Sequence, residues 1–578
     1  MVNEKRIRNR RMALLQLLLL LGILVAVNWL GSVYYARVDL TAEKRFSMAE
    51  PTRDLLRNLE DIVAITVYLD GNLPPNLARL QEETLRLLRQ WEREAGGNLV
   101  FRIQDPNAIS DRDNRLAFYK QLQERSLFPV EFRASASAGE GLSQSYVFPY
   151  AELEYQGGEP EAIVLLDYPQ PVLTPQYDPE AAVAMLEYNF ARAIVRATRR
   201  IKPRIAFVEG QGELDTLEVL DLEYALREFY RVDRFDLNAI NQIDTGYQAL
   251  ILAGSSRNFS MVNKYKLDQY VMRGGSILWC LDGVQAEFDS LRRRGEFFTQ
   301  PFARQMEDLL FQYGARINEN LIQDRQCARI AVPMGNSGQF ENRPWPYDPI
   351  LTNVNPGHPI TRNLDAIEGR FVSSVDTVIV PGVRKTVLLS SSANARFLPD
   401  PVRVRFNLLV TPLSDEQYNR ANLPVAVLLE GSFPSAFRSI RSLATQFSSR
   451  GVGGAEFLLS GVPSRQIVIG DADMVRNAVA PDGRIAPLGL NNIEQYIFAN
   501  KDFALNCVEY LTDEGGLMES RAKVIRLRPL DPLKVSESRT YWPFFSVIAP
   551  LFILMLFGGI YNVLRYRRYG QIPPTNLP

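Results

Sequence analysis

Histidine and cysteine are nearly absent from this 578-residue chain: it has one histidine, His358, and three cysteines, Cys280, Cys327 and Cys507. One imidazole cannot build a multi-histidine metal site, nor a site that uses one histidine as acid and another as base. The cysteines lie far apart and form no C-x-x-C pair. That excludes a zinc ribbon and thioredoxin-type redox chemistry, and it argues against a disulfide scaffold. They read as small buried hydrophobes. No G-x-x-x-x-G-K-[ST] stretch occurs, so the chain cannot hydrolyse ATP alone, and no bound ATP is expected. The 65 basic and 66 acidic residues are interspersed and leave a net charge of −1. A nucleic-acid partner, which needs clustered Lys and Arg, is not expected. These absences leave no catalytic, cofactor-binding or metal-binding residue to assign.

Long apolar runs, by contrast, stand at both ends. Residues 12–35 read MALLQLLLLLGILVAVNWLGSVYY, and residues 542–563 read WPFFSVIAPLFILMLFGGIYNV. Each approaches the roughly 20 residues that cross a bilayer as a helix. The first run is longer than a signal-peptide core and closes on Trp29, Tyr34 and Tyr35, so it reads as a retained anchor. The tail 1–11 carries Lys5, Arg6, Arg8, Arg10 and Arg11, and the tail 564–578 carries Arg565, Arg567 and Arg568. Positive flanks stay cytoplasmic, so both termini are expected inside and the intervening body outside. Gly22, Gly31, Gly558 and Gly559 are the positions where a neighbouring membrane helix could approach closely.

The body reads as two α/β domains. Residues 36–201 give a β-α-β-α-β-β-α order, with strands VAITVYLD and NLVFRIQDP, helices over 76–95, 113–125 and 179–200, and SYVFPYAELEY as one arm of a hairpin. That order suggests a thioredoxin-like scaffold. Lys202-Pro203 opens a second domain, 202–520, in which strands IAFVE, YQALILAG and SILWCLD alternate with amphipathic helices. This implies a parallel sheet covered on both faces, flavodoxin-like and similar to class I glutamine amidotransferases. A helix is expected over 297–313. Residues 325–465 read as a β-rich insertion, with a mobile loop over 432–460. RQIVIGDAD returns to the parallel pattern, residues 500–516 form a closing helix, and 521–541 form a stalk back to the second apolar run.

Three constellations invite chemistry. Gly210-Gln211-Gly212-Glu213 follows a strand, but Asp215 stands where a dinucleotide fingerprint needs its third glycine, so a tight turn is expected. Cys280 ends a central strand and His358 lies downstream, as in an amidotransferase. However, His358-Pro359-Ile360 lacks the glutamate that would orient the imidazole. A degenerate hydrolase of that type is the enzymatic alternative. Glu209, Glu213, Asp282, Asp471 and Asp473 end strands at one shared edge. Glu213, Asp282 and Asp473 are the candidates for a small ligand or cation there, against helix capping.

The stretches DLTAEKRFSMAEPTRDLLRNLEDIVAITVYLDG, EGQGEL, GHPITRNL, IGDADMVRN and NKDFALNCVEYLT occur in this order between the apolar runs. Together they resemble the gliding-motility auxiliary protein GldG family of Bacteroidota over nearly the whole chain. The resemblance implies an extracytoplasmic "substrate-binding" component of an ABC transporter in the bacterial inner membrane, with a body in the periplasm. The partners it implies are a multi-span permease (GldF-like) and a cytoplasmic ATPase (GldA-like). Many relatives carry GHGEL where this chain has Gly210-Gln211-Gly212-Glu213-Leu214. The expectation is a non-catalytic subunit; a passive motility scaffold independent of any ATPase is the other non-enzymatic reading.

Overall fold

The computed structural model describes residues 48–71, 73–134, 143–166, 179–199, 201–286, 288–302, 304–334, 339–406, 413–454, 456–480, 482–513, 515–522 and 541–569, with most positions between 16 and 28. The architecture is mixed α/β with several sheets. The chain divides into two compact units, Met1–Val524 and Ile525–Pro578.

From residue 48 onward the larger unit begins with helix α1 (Glu50–Arg57), started by Pro51 in its first turn. A four-stranded sheet follows, in the order β2-β1-β3-β4, from β1 (Val63–Val67), β2 (Leu99–Ile103), β3 (Tyr150–Tyr155) and β4 (Glu161–Val164). β1 runs parallel to β2 and antiparallel to β3. Helices α2 (Pro75–Glu94) and α4 (Pro179–Thr198) share one core with this sheet, and α3 (Arg112–Glu124) lies between β2 and β3 in sequence. The periodic leucines of α2 and Trp91 meet Leu186, Phe190 and Ile194 of α4, with Trp91 and Phe190 edge to face at 6.2 Å. The arm SYVFPYAELEY breaks at Pro149, which has no N–H to donate. Ser143–Val147 pairs with Val130–Ala134 in a separate hairpin, and only the part after Pro149 joins the sheet.

The second sheet has eight strands: β5 (Arg204–Glu209), β6 (Arg231–Asp236), β7 (Tyr247–Ala253), β8 (Ser276–Cys280), β9 (Asn353–Val354), β10 (Val383–Ser390), β11 (Pro424–Gly431) and β12 (Ser464–Ile469), in the order β9-β10-β11-β12-β8-β7-β5-β6. The neighbours from β12 to β6 are parallel. Alternate residues feed opposite faces. Ile205, Ile251, Leu278 and Ile467 meet α5 (Leu220–Phe229) and the late helix Asn500–Thr512. Val208, Leu250, Trp279 and Val468 meet α6 (Met261–Met272) and α7 (Glu307–Tyr313).

Three expectations change here. The helix expected over 297–313 covers only α7. Ahead of it Glu296–Phe298 is a strand paired with Arg403–Arg405, and Pro301 ends the extended stretch. β10 and β11, expected within an insertion, instead extend the main sheet in antiparallel fashion, because β11 buries five consecutive residues and needs cover on both faces. Residues 432–460, expected as a mobile loop, carry helix α8 (Arg441–Ser449), and Phe437 and Phe447 pack on the ring of Tyr265 at 5.1 and 5.3 Å. This segment covers the outer side of α6, which is why α6 is buried all round. There the Asp268 carboxylate accepts from the Ser435 hydroxyl (2.7 Å), the Ala436 amide (2.8 Å) and the Tyr313 hydroxyl (3.0 Å). The late helix Asn500–Thr512 is α9.

The described residues of the smaller unit form helix α10 (Tyr541–Tyr569), which carries Pro550 without a break. Its Val547–Arg567 stretch is long and apolar enough to cross a membrane. Its apolar side chains are exposed, as befits a surface meant for lipid or another protein. Described positions of the first apolar run are helical, but the run as a whole, Gly31 included, lies outside the described residues. So do most of the stalk, the first basic tail and residues 570–578; Arg565, Arg567 and Arg568 of the second tail lie in the last turns of α10. A Cβ added at Gly22, Gly558 or Gly559 would meet no atom within 4 Å.

Candidate functional site

In a doubly wound sheet, ligands bind beyond the carboxyl ends of the strands, where the strand order reverses. Here that point lies between β5 and β7, whose following loops are 210–214 and 254–257. These loops are bonded directly to each other. The Gln211 carbonyl accepts from the amides of Ser256 (3.1 Å) and Arg257 (2.8 Å), and the Ser256 hydroxyl donates to the Gly212 carbonyl (2.9 Å). Gly210 and Gly212 take φ of +110° and +74°. Side chains there would collide with Asp236 and with Ser256. Only glycine allows this closure. The glutamate of this loop turns inward. Glu213 accepts from the Gln211 amide (2.7 Å) and the Ser255 hydroxyl (3.2 Å), and burial raises its carboxyl.

The other two candidates, Asp282 and Asp473, come together with Asp471 beyond β8 and β12. Asp282 accepts from the Ala472 amide (2.8 Å), and Asp471 accepts from the amides of Arg370 (2.9 Å) and Asp473 (2.7 Å). Asp473 pairs with Arg476 at 2.7 Å, and Arg476 also reaches Glu218 at 3.2 Å. Burial, then the charge of Asp473, pushes Asp282 up to about 6. The same causes in the same order hold Asp471 well above the usual carboxylate range. Asp348 joins the group from strand Gln339–Leu351, pushed up to about 7 by burial, and lies 3.6 Å from Arg370. Among the described residues, no group of three or more His, Cys, Asp or Glu is arranged to hold a metal.

Glu213 stands apart from these aspartates. Arg304 lies between: its buried guanidinium donates to the carbonyls of Ser255 (3.2 Å) and Asp282, tying the β7 loop to the β8 loop. Sequence reasoning missed Arg304, which lies in a stretch expected to be helical. Cys280 and His358 do not form a pair. Cys280 is fully buried beside Cys507 in the α9 face of the sheet, and burial raises its thiol. His358 accepts the Ile360 N–H at Nδ1 (3.3 Å), and its ring lies 5.0 Å from Tyr510.

A second constellation gathers on α4, on residues the sequence did not single out. The inner face of α4 is apolar. Its other face carries Tyr188, Arg192 and Arg196 one helical turn apart, a spacing visible in the sequence. Arg192 lies 3.4 Å from Glu509 of α9, and its guanidinium stands over Phe229 of α5 at 4.0 Å. Arg196 pairs with Glu228 (2.7 Å) and Glu161. α1 and the segment that follows α9 also meet here. The amide of Ala49, capping α1, donates to Glu187 (2.7 Å). After α9, Asp513 caps the amides of Leu517 (3.0 Å) and Met518 (2.8 Å). The return segment Leu517–Ala522 then packs on α1 and α4, with Arg521 over the Tyr188 ring at 5.3 Å.

Residues 42–154 match a domain family of unknown function. An uncharacterized protein of Borreliella burgdorferi is 20% identical over 467 residues, which cover 79% of this chain and 85% of the relative. Among solved structures, the chain is similar to the mmIFT52 N-terminal domain, with 16% identity over 54% of this chain and 97% of that one. The TM-score of 0.30 is too low for that likeness to carry an argument. Residues 202–507, more than half of the chain and most of the second sheet with its helices, match the family described as ABC-type uncharacterized transport system, and the protein belongs to that family of auxiliary ABC transport components.

Proposed function

We propose that the chain is a non-catalytic, extracytoplasmic subunit of an inner-membrane ABC transporter. It is tethered by both terminal apolar segments and coupled to a multi-span permease that a cytoplasmic ATPase drives. The observation that carries this reading is the convergence of α1 and the return segment on α4. A displacement entering at either end of the unit reaches the same helix, which bears on both sheets. The family match supplies the transporter context. In this reading Gly22, Gly31, Gly558 and Gly559 are the close-approach positions for the permease. The first sheet is a thioredoxin-like scaffold and the second an amidotransferase-like one. The partners are GldF-like and GldA-like, and the output is gliding motility or secretion.

Purification of the tagged chain from its own membrane in mild detergent tests this. A permease and an ATPase should be recovered in fixed ratio. Recovery of the chain without either would remove the transporter reading and leave a scaffold that works without an ATPase.

A further inference from the structure

The surface around the converging ends is a groove. It is a cavity of about 980 Å³ walled by α1, the last turn of α4, the end of β3 and the return segment. Leu55, Leu59, Val195 and Leu517 give it apolar walls, and Asp54 and Glu60 are its charged liners. Among the described residues, neither carboxylate takes part in an ion pair. This contrasts with Arg53 and Arg57 on the same helix, which both pair with Glu94 (3.9 and 3.2 Å). A groove with apolar walls and two uncompensated negative charges is complementary to an apolar segment that carries lysine or arginine.

We propose that this groove is the docking site for an extracytoplasmic segment of the transporter's membrane subunit, apolar on one side and basic at its flanks. The proposal rests on the transporter reading above. Position selects this occupant as well as charge. Two walls of the groove are the elements from which the chain continues toward its two terminal apolar segments. A partner bound by those segments is therefore tethered to the chain on either side of this surface, and a contact made here would bear directly on α1, α4 and the return segment.

Photo-crosslinking in the native membrane tests the docking separately from the complex. A p-benzoylphenylalanine side chain is placed at Leu55 of the full chain, and at Ile379 as control, a residue 92% exposed outside the groove. The Leu55 probe should form an adduct with the permease and the Ile379 probe should not. Asp54→Lys with Glu60→Lys should lower the adduct at least about tenfold, because like charges across an interface are strongly unfavourable. The isosteric pair Asp54→Asn with Glu60→Gln, which leaves the fold undisturbed, should lower it less. An adduct within the same chain, or no Leu55 adduct while the permease still co-purifies, overturns the docking and leaves the transporter reading standing. Failure of the permease to co-purify overturns both.

Discussion

Arg192 of α4 and Glu509 of α9 lie 3.4 Å apart, and the pair joins the helix that covers the first sheet to the helix that covers the second. Arg192 also stands over Phe229, so its planar guanidinium meets a carboxylate and an aromatic ring at once.

Replacing Arg192 by Met removes the charge and leaves the mostly buried Glu509 carboxylate without its ion-pair partner. The expected cost is about 2 kcal/mol, between that of breaking an exposed ion pair and a fully buried one. Arg192→Lys keeps the charge but loses the stacking and should cost less. Urea unfolding gives the cost. Limited proteolysis should also cut faster near residues 199–203, where the chain passes from one sheet to the other. Parent-like unfolding of Arg192→Met would show that the pair does not hold the sheets together.

The buried carboxylate group sets a pH dependence. Asp348 is pushed up to about 7, against about 3.9 in an unfolded chain. Between those values the folded protein binds more protons than the unfolded one, so stability falls as pH rises. The favourable contribution is complete below about pH 4 and is lost as pH rises through about 7. Asp348→Asn mimics the protonated form. It should match the parent near pH 4 and exceed it at pH 8 by on the order of 4 kcal/mol. Denaturation midpoints of both proteins at the two pH values decide this, and a constant difference would contradict it.

Where the sequence was legible, one face or one period governed the residues. VAVLL in β11 is a run of consecutive apolar residues and is a strand as expected, but its place in the main sheet rather than an insertion is fixed by long-range pairing with β10 and β12. α6 was harder to interpret. Lys264, Lys266 and Asp268 look like a solvated face, yet all three are buried: Lys264 donates to the Gln305 carbonyl and Asp308, Lys266 to the Leu237 carbonyl and Asn263, and Asp268 accepts from Ser435 and Ala436, about 170 positions away. The site divided the same way. That Glu213, Asp282 and Asp473 share a sheet edge follows from strand order, whereas the tie Arg304 makes between the Ser255 and Asp282 carbonyls joins positions 49 and 22 residues away and has no local signal.

His358 is the chain's only histidine, so its ring resonances can be assigned without mutagenesis. Burial lowers its pKa to about 4, with Glu430 opposing. Because the folded value lies below the unfolded 6.5, the ring's contribution to stability is whole above about pH 6.5 and is lost as pH falls toward 4. The ring signals should therefore stay constant from pH 8 to about 5.5. A titration midpoint near 6.5 would place the ring in solvent and contradict its contacts with Ile360 and Tyr510.

The cysteines test the enzymatic alternative most directly. A nucleophilic cysteine needs a thiolate, an accessible sulfur and a base within reach. Cys280 is fully buried with Cys507 on the α9 face of the sheet, while its neighbours Trp279 and Leu281 pack on the opposite face, and burial raises both thiols. Cys327 is pushed up to about 12, first by burial and then by Asp348. At pH 8 the native protein should therefore show no fast-reacting thiol toward a disulfide reagent, and unfolding should release all three. Cys280→Ala should cost about 1 kcal/mol of packing and leave transporter assembly intact. A Cys280 that labels rapidly in the native state, or a Cys280→Ala protein that folds normally but has lost function, would return the hydrolase reading to the front. The core environment of this sulfur leads us to expect neither.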